Sequence, residues 1–370
     1  MTEEQAGAMR VNIVPLSDID DVWLGAWQEL AAEAAEPNPF FHPDLLLAAV
    51  RWLPGGDSVR LLMVWRGERL VLAMPIARGR YRRVPIAALS TWRHPYCYLG
   101  TPLVRPDALD VAPAAALQCL RRGRPGWLVL EQVYVQGPVV GAFRRAAENC
   151  SASWLERGVW ERPAVLARQQ KTQPAEPPAP PRNKTLRRKR RKLERVVGAV
   201  ETREVAGAAD PLTLDAEIDA FLEMELASWK GRAGTAIASS SSHASFFRET
   251  CRAFACRGRL DLWQLQAGDV KAARECHLRM GETVFQWKTT YNEELSPFSP
   301  GSQIELDALH AFYADHELHS LDPCTSNVVR PLDRFYPDRR LIGDVLVGLT
   351  APSRAITRMY SRAARAWARA

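Results

Sequence analysis

The sequence predicts a mixed α+β protein made of two similar halves in tandem, each a mostly antiparallel sheet flanked by helices. Two observations carry this. Each half reads, in order, as helices, an antiparallel meander and a strand–helix–strand run. Between the halves, Gln173–Arg182 (QPAEPPAPPR) holds five prolines in ten residues, the composition of an extended, semi-rigid connection. The halves share no clear identity, so duplication rests on element order alone. The expected boundaries are a first domain over 1–172, a linker over 173–182, a second domain over 183–350 and a basic terminal helix over 351–370.

In the first half, Val11–Pro15 suits a short strand, and Ile19–Ala35, with Trp23, Trp27, Leu30 and Ala31 on one face, suits a helix. Pro37, Pro39 and Pro43 break it, and His42 between aromatics is expected to pack rather than act. Pro43–Leu53 reads as a second helix. Val59–Trp65 and Leu70–Ala77 flank Arg66-Gly67-Glu68 as a hairpin, and Val84–Trp92 adds a strand. His94–Gly100 (HPYCYLG) is an aromatic loop expected to fill the core. Helix Leu109–Arg121, strand Trp127–Val135, helix Pro138–Cys150 and Val159–Leu166 close this half.

In the second half, a basic helix precedes a short strand near Val200–Glu204. Leu214–Trp229 is helical, with Gly231 a C-cap candidate, and the loop Ser239–Ser245 (SSSSHAS) around His243 reads as a mobile lid candidate. Helix Phe246–Cys256 leads to a hairpin, Leu260–Gln266 and Val270–Leu278. Thr283–Tyr291 (TVFQWKTTY) is rich in β-branched and aromatic residues, a strong strand signal. Asn292–Pro300 breaks it, and a helix starts near Ser302. Leu318–Leu321, a helix over Val328–Phe335, a strand over Arg340–Val347 and a helix over Ala351–Ala370 complete the reading.

Composition narrows the function classes. No apolar run approaches a membrane span, and MTEEQAGAMR has no apolar signal core, so the expected compartment is the cytoplasm. Seven scattered cysteines without a CxxC pair indicate neither a disulfide framework nor a metal site. The net charge of +7 is concentrated in Arg182–Arg195, where nine basic residues meet one acid, so the remaining residues sum to about −1. That localisation argues against a chain built wholly for nucleic-acid binding.

Several residues are candidates for chemistry. The corner Ser299-Pro300-Gly301-Ser302 feeds a strand into a helix, whose first amides and dipole favour an anion; a plain turn is the alternative. Asp322 lies at the end of a strand following the central helix, a place for a base or an amine anchor, or simply for a turn aspartate. Lys288 faces away from Trp287 if the strand alternates regularly, and would then meet a substrate carboxylate, a donor phosphate or only solvent. Tyr291 shares that strand, and Lys230 ends a helix whose dipole it satisfies. Six consecutive cations, Arg187–Lys192, suit coenzyme phosphates, tRNA or an anionic membrane, or form a solvated face over inward Leu186 and Leu193. Arg354, Arg358, Arg362, Arg365 and Arg369 form a stripe that suits anionic lipid, which gives peripheral contact with the inner membrane, or a docked terminal helix.

Residues 183–340 resemble the acetyltransferase domain of the CelD-type proteins, a branch of the GNAT superfamily related to the FemAB transferases. The matching pieces are RRKRRKLERVVG, FLEMELASWKGRAGTAI, FFRETCRAFACRGRL, KTTYNEELSPFSPGS and LDPCTSNVVRPLDRFYPDRRLIGDV, and their order and spacing make the match. The resemblance implies two tandem GNAT-like domains and acyl transfer from acyl-coenzyme A to an amine, such as an amino sugar or an envelope polysaccharide or lipid intermediate. It places the donor pyrophosphate at Ser299, Pro300, Gly301 and Ser302, although the Q/R-x-x-G-x-G/A pattern is missing there. It implies Tyr336 as general acid, with a packed aromatic beside Phe335 as the alternative, and raises Lys230 toward a site role. The thioester oxygen would meet backbone amides of Gln286–Tyr291. The rival readings are a FemAB-like aminoacyl-tRNA-dependent transferase and a non-catalytic binding module in polysaccharide biosynthesis.

Overall fold

The computed structural model describes residues 8–80, 87–123, 125–166, 183–207, 210–328, 330 and 332–367, with side chains up to 360. The proline-rich Gln173–Arg182, residues 84–86 of the expected fourth strand and the end of the arginine stripe lie outside these residues. The chain forms two compact units: the chain up to Arg162 with that from Arg340 onward, and Pro163–Arg339 between them.

The first unit contains β1 (Met9–Pro15), α1 (Asp21–Ala32), α2 (Pro43–Trp52), β2 (Arg60–Arg66), β3 (Arg69–Arg80), β4 (Ala87–Thr91), β5 (Leu103–Val104), α3 (Ala112–Gly123), β6 (Trp127–Tyr134), α4 (Pro138–Asn149) and β7 (Ser153–Ala164). Asp20 caps α1 and His42 Nδ1 caps α2 by accepting from Asp44 N, which gives His42 the structural role expected of it. The sheet order is β1-β2-β3-β4-β6-β13-β7, where β13 is Asp338–Gly348, with β5 also paired to β3. Strands β4 and β6 run parallel from Ala88↔Trp127 to Ser90↔Val129. The loop His94–Gly100 fills the core as expected, with Tyr96, Cys97 and Leu99 buried.

The second unit contains α5 (Lys184–Val196), β8 (Val200–Glu204), α6 (Pro211–Ala227), the short α7 (Trp229–Arg232), α8 (Ser241–Ala255), β9 (Leu260–Ala267), β10 (Val270–Met280), β11 (Thr283–Tyr291), α9 (Pro300–Ala314) and β12 (Ser320–Asp322). Its sheet order is β12-β11-β10-β9-β8, and only the β11–β12 pair is parallel. Helices α6 and α8 cover one face through Phe221, Phe247 and Trp287; α9 covers the other through Ile304, Leu309 and Phe312.

Three expectations need correction. The strand β13 (Asp338–Gly348) was expected in the second domain, but it pairs antiparallel with β6 from Ile342↔Tyr134 to Gly348↔Trp127. Both its faces are apolar: Val345 and Val347 enter one core and Leu346 another, so only an interior place between two strands buries it. The following helix α10 (Ala351–Trp367) docks on the same unit, where Trp127 Nε1 donates to Thr357 Oγ1 at 3.0 Å. Second, His243 lies in the first turn of α8 rather than in a loop, since Ser240 serves as its N-cap. Third, where a helix was expected over Val328–Phe335, the described residues show a single 3-10 turn at Asp333–Phe335. No helix of the described residues is long and apolar enough to cross a membrane.

Candidate active site

The second unit carries an opening in its sheet. Strand β12 pairs with β11 only from Thr283↔Ser320 to Phe285↔Asp322. It stops because Asp322 Oδ1 accepts the Cys324 amide at 2.8 Å across Pro323, and Cys324 takes a left-handed φ of 49°. Beyond Phe285, the β12 side of β11 has no β12 partner. The ammonium of Lys230 reaches this stretch, donating to Thr289 O and to Glu225 Oε1, both at 2.8 Å. Glu225 is buried, and its other oxygen accepts from Ile237 N. Gly231 permits this turn, because a side chain there would strike the Leu226 carbonyl.

On its other side β11 is irregular. Its register against β10 shifts between Cys276↔Lys288 and His277↔Gln286, leaving Trp287 as an extra residue. The bulge corrects the expected alternation. Trp287 stacks on Phe247 at 5.3 Å, and Lys288 is paired with Cys276, whose Sγ lies 4.0 Å from Cys251 Sγ on α8. Lys288 therefore shares the α6/α8 face with Trp287, while Gln286 and Thr289 share the α9 face.

The corner at the start of α9 differs in detail from the expected cradle of free amides. Pro300 has no N–H, and the Ser302 and Gln303 amides both bond to Ser299 O at 3.1 Å. Gly301 abuts the ring of Tyr291, 3.1 Å from where its Cβ would stand. Positive charge comes instead from α5. Leu186, Lys189 and Leu193 share one helical stripe; the leucines are buried and Lys189 Nζ donates to Ser299 Oγ at 2.6 Å. Lys192 stands 6.0 Å from the Phe298 ring, Arg190 binds Asp307 at 2.6 Å, and Arg187, Arg188 and Arg191 are exposed. The inward leucines of the plain reading and a cation at the corner thus coexist.

Under α9 lies a buried polar cluster. Tyr336 Oη stands 2.7 Å from Gln286 Oε1 and 2.9 Å from Glu305 Oε1. Arg330 donates to Glu305 at 3.0 Å. Burial pushes the Glu305 carboxyl above its ordinary range, Arg330 opposing this and Glu275 adding to it. Burial, then Glu305 and Glu275, push the Tyr336 phenol up. Glu275 is buried; Thr289 Oγ1 donates to its Oε1 at 3.1 Å, and His277 Nε2 lies 3.4 Å away.

The structure thus brings Lys230 and Thr289 together at the open edge, places Tyr336 beside Gln286 at the bulge, and sets Tyr291 against Gly301. Asp322, fully buried, occupies its turn role, away from a free-standing base. Sequence reading passed over Glu275 and Glu305, and reached Gln286 and Lys189 only within the stretches Gln286–Tyr291 and Arg187–Lys192. The available signal was a charged residue at an inward position: Glu305 sits between Ile304 and Leu306, and Lys189 falls on the stripe of Leu186 and Leu193.

Comparison with known proteins places this unit. Residues 181–328 match the family model described as an acetyltransferase (GNAT) domain, Acetyltransf_6. No curated protein sequence matches the chain. Among solved structures, FemX is similar over 87% of this chain and 95% of its own, with a TM-score of 0.54 and 9% identity. L-PGS from Bacillus licheniformis is similar over 93% and 97%, with a TM-score of 0.52 and 12% identity. A conserved protein of unknown function from Bacteroides thetaiotaomicron is similar over 91% and 100%, with a TM-score of 0.51 and 11% identity. These likenesses concern the fold, which is the tandem GNAT-like α+β architecture.

Proposed function

We propose that the chain is an acyltransferase of the GNAT type that moves an acyl group from acyl-coenzyme A to an amine acceptor, an amino sugar or an envelope polysaccharide or lipid intermediate. The observation that carries this is the edge of β11 beyond Phe285, where pairing with β12 stops, with the cationic corner of Ser299 and Lys189 at the end of the same strand. In this reading the corner and the exposed cations of α5 receive the coenzyme's phosphates. The freed backbone of Gln286–Tyr291 holds the thioester, so that its amides meet the oxygen where charge develops. Tyr336, anchored beside Gln286, stands as proton donor to the leaving thiolate. Lys230 and Tyr291 border the acceptor's approach, and Lys288 belongs to the helical face behind the bulge.

A second reading, aminoacyl transfer from charged tRNA, draws on the FemX likeness and on the exposed arginines of α5. A thermal-shift titration separates the two. A dose-dependent shift with acetyl-coenzyme A that is lost in Gly301→Glu and weakened about tenfold in Lys189→Glu supports the first. A shift with charged tRNA alone supports the second. No response to either returns the domain to a non-catalytic binding role.

A further inference from the structure

The α9 face of the second sheet buries more polar and ionisable groups than a domain core requires. Glu275, His277, Gln286, Glu305 and Tyr336 are each at most 8% exposed. Buried carboxylates are costly unless paired, and here the near cation of Glu305 is Arg330, which also serves Asp333. The hydrogen bonds contain a conflict. Tyr336 has one proton but faces two oxygens, Gln286 Oε1 at 2.7 Å and Glu305 Oε1 at 2.9 Å. Two arrangements resolve it: a proton on Glu305, which then donates to the phenol oxygen while the phenol donates to Gln286, or a turned Gln286 amide whose Nε2 donates to the phenol while the phenol donates to Glu305. Further along, Glu275 Oε2 and His277 Nε2 are buried without a hydrogen-bond partner. His277 also lines a cavity of about 140 Å³ with Asp261, Trp263, Arg279 and Asp315. Thr289, Glu275 and His277 therefore form a file from β11 to that cavity, with Glu305 and Tyr336 beside it and Glu305 coupled to Glu275 through charge.

We propose that this file carries the proton released by amide formation from the β11 edge out to the cavity beside His277. The inference rests on the acyltransferase reading. Transfer to an ammonium forms a C–N bond and breaks the C–S bond. The nitrogen gives up two protons; the departing thiolate takes one, leaving amide, thiol and one proton to discharge. Glu275 accepts this proton and passes one on through His277. The charged and titratable groups facing the file are Arg330, Asp333 and Tyr336 at Glu305, and Arg279, Glu204 and Asp315 around Asp261 and His277. Tyr336 alone faces the reacting atoms, as donor to the leaving thiolate; Glu305, Glu275 and His277 act as positioning and relay groups.

The test uses the full chain with acetyl-coenzyme A and an amine acceptor drawn from a panel of amino sugars. In Glu275→Gln and His277→Gly, the relay predicts a kcat fall on the order of 100-fold with the acetyl-coenzyme A KM retained. It also predicts a displaced acid limb of the pH profile in Glu275→Gln. In His277→Gly, added imidazole restores rate by occupying the enlarged cavity, which a structural role would not produce. Folded variants that bind acetyl-coenzyme A and keep the wild-type kcat and pH profile overturn the relay while the acyltransferase reading stands. A wild-type chain that neither binds nor uses acetyl-coenzyme A removes that reading, and the relay with it. If the variants do not fold, infrared spectroscopy decides. A protonated carboxyl band that persists at neutral pH in Glu36→Gln supports a proton held at Glu305, and its absence there overturns it.

Discussion

In both units a parallel strand pair borders an antiparallel meander, and the two treat the gap beyond that pair in opposite ways. In the first unit the chain after β4 folds back and fills it. Glu131 N donates to Thr91 Oγ1 at 2.9 Å, Gly100 N to Gln132 O at 3.1 Å, and Tyr134 N to Thr101 Oγ1 at 3.4 Å. Leu103 and Val104 then pair with β3. Its hydrophobic cluster is largely aliphatic around Phe143, and the unit also buries Arg105, Arg162 and His94. In the second unit β12 stops pairing at Phe285, a lysine ammonium reaches the edge, and the core behind holds Glu275, Glu305 and Tyr336. The difference teaches that one architecture serves as a sealed scaffold when its loop is spent on the gap, and as a site when the gap is kept. Buried carboxylates accumulate on the side that keeps it.

That comparison can be broken at three places. The largest effect is expected for Gly100→Ala. Its Cβ would fall inside the Glu131 carbonyl, a backbone clash that no rotamer relieves, so the first unit should lose about 3 kcal/mol or more in urea unfolding. An intermediate effect is expected for Lys230→Met, which leaves Glu225 buried beside an emptied site. The expected loss is about 2 kcal/mol, less than for a fully buried pair because Lys230 is 24% exposed. The double variant with Glu225→Gln should recover part of it, and full additivity in the cycle would show the pair to be uncoupled.

The smallest effect sharpens the contrast through pH. In the first unit Glu36 accepts from Val139 N at the start of α4, and burial pushes its carboxyl up to about 7, with the Val139 bond and Arg340 opposing. The folded form therefore binds this proton more tightly than the unfolded chain. The stability so gained is fully present below the ordinary glutamate pKa and is lost as pH rises through about 7. Discounted for partial exposure, the loss is about 1–2 kcal/mol. Glu36→Gln should flatten stability against pH across that window; an unchanged slope would place the titrating group elsewhere.

Much of this fold could be read from local pattern. The strand Thr283–Tyr291 and the helices α1, α2 and α9 follow from β-branched runs, caps and apolar spacing, and these are local causes. What escaped is non-local. An apolar strand such as Arg340–Val347 says that it needs burial on both faces, but not between which neighbours. The bulge at Trp287 depends on β10 and leaves no mark in its own strand. Glu305 reads as one polar residue in an amphipathic helix until Tyr336 and Arg330 arrive from thirty residues downstream. For the same reason Asp322 was readable as a base or a turn residue, and only the Cys324 amide decided its place.

The position of β13 has a consequence for biosynthesis. A ribosome releases β6 and β7 long before the strand that must lie between them, with the entire second unit emitted in the interval. The inserted unit is therefore free to mature first, while the earlier-made one waits with two unzipped strand borders. Those borders are templates for mispairing between nascent chains, so this late-made strand acts as the clasp that ends the hazard.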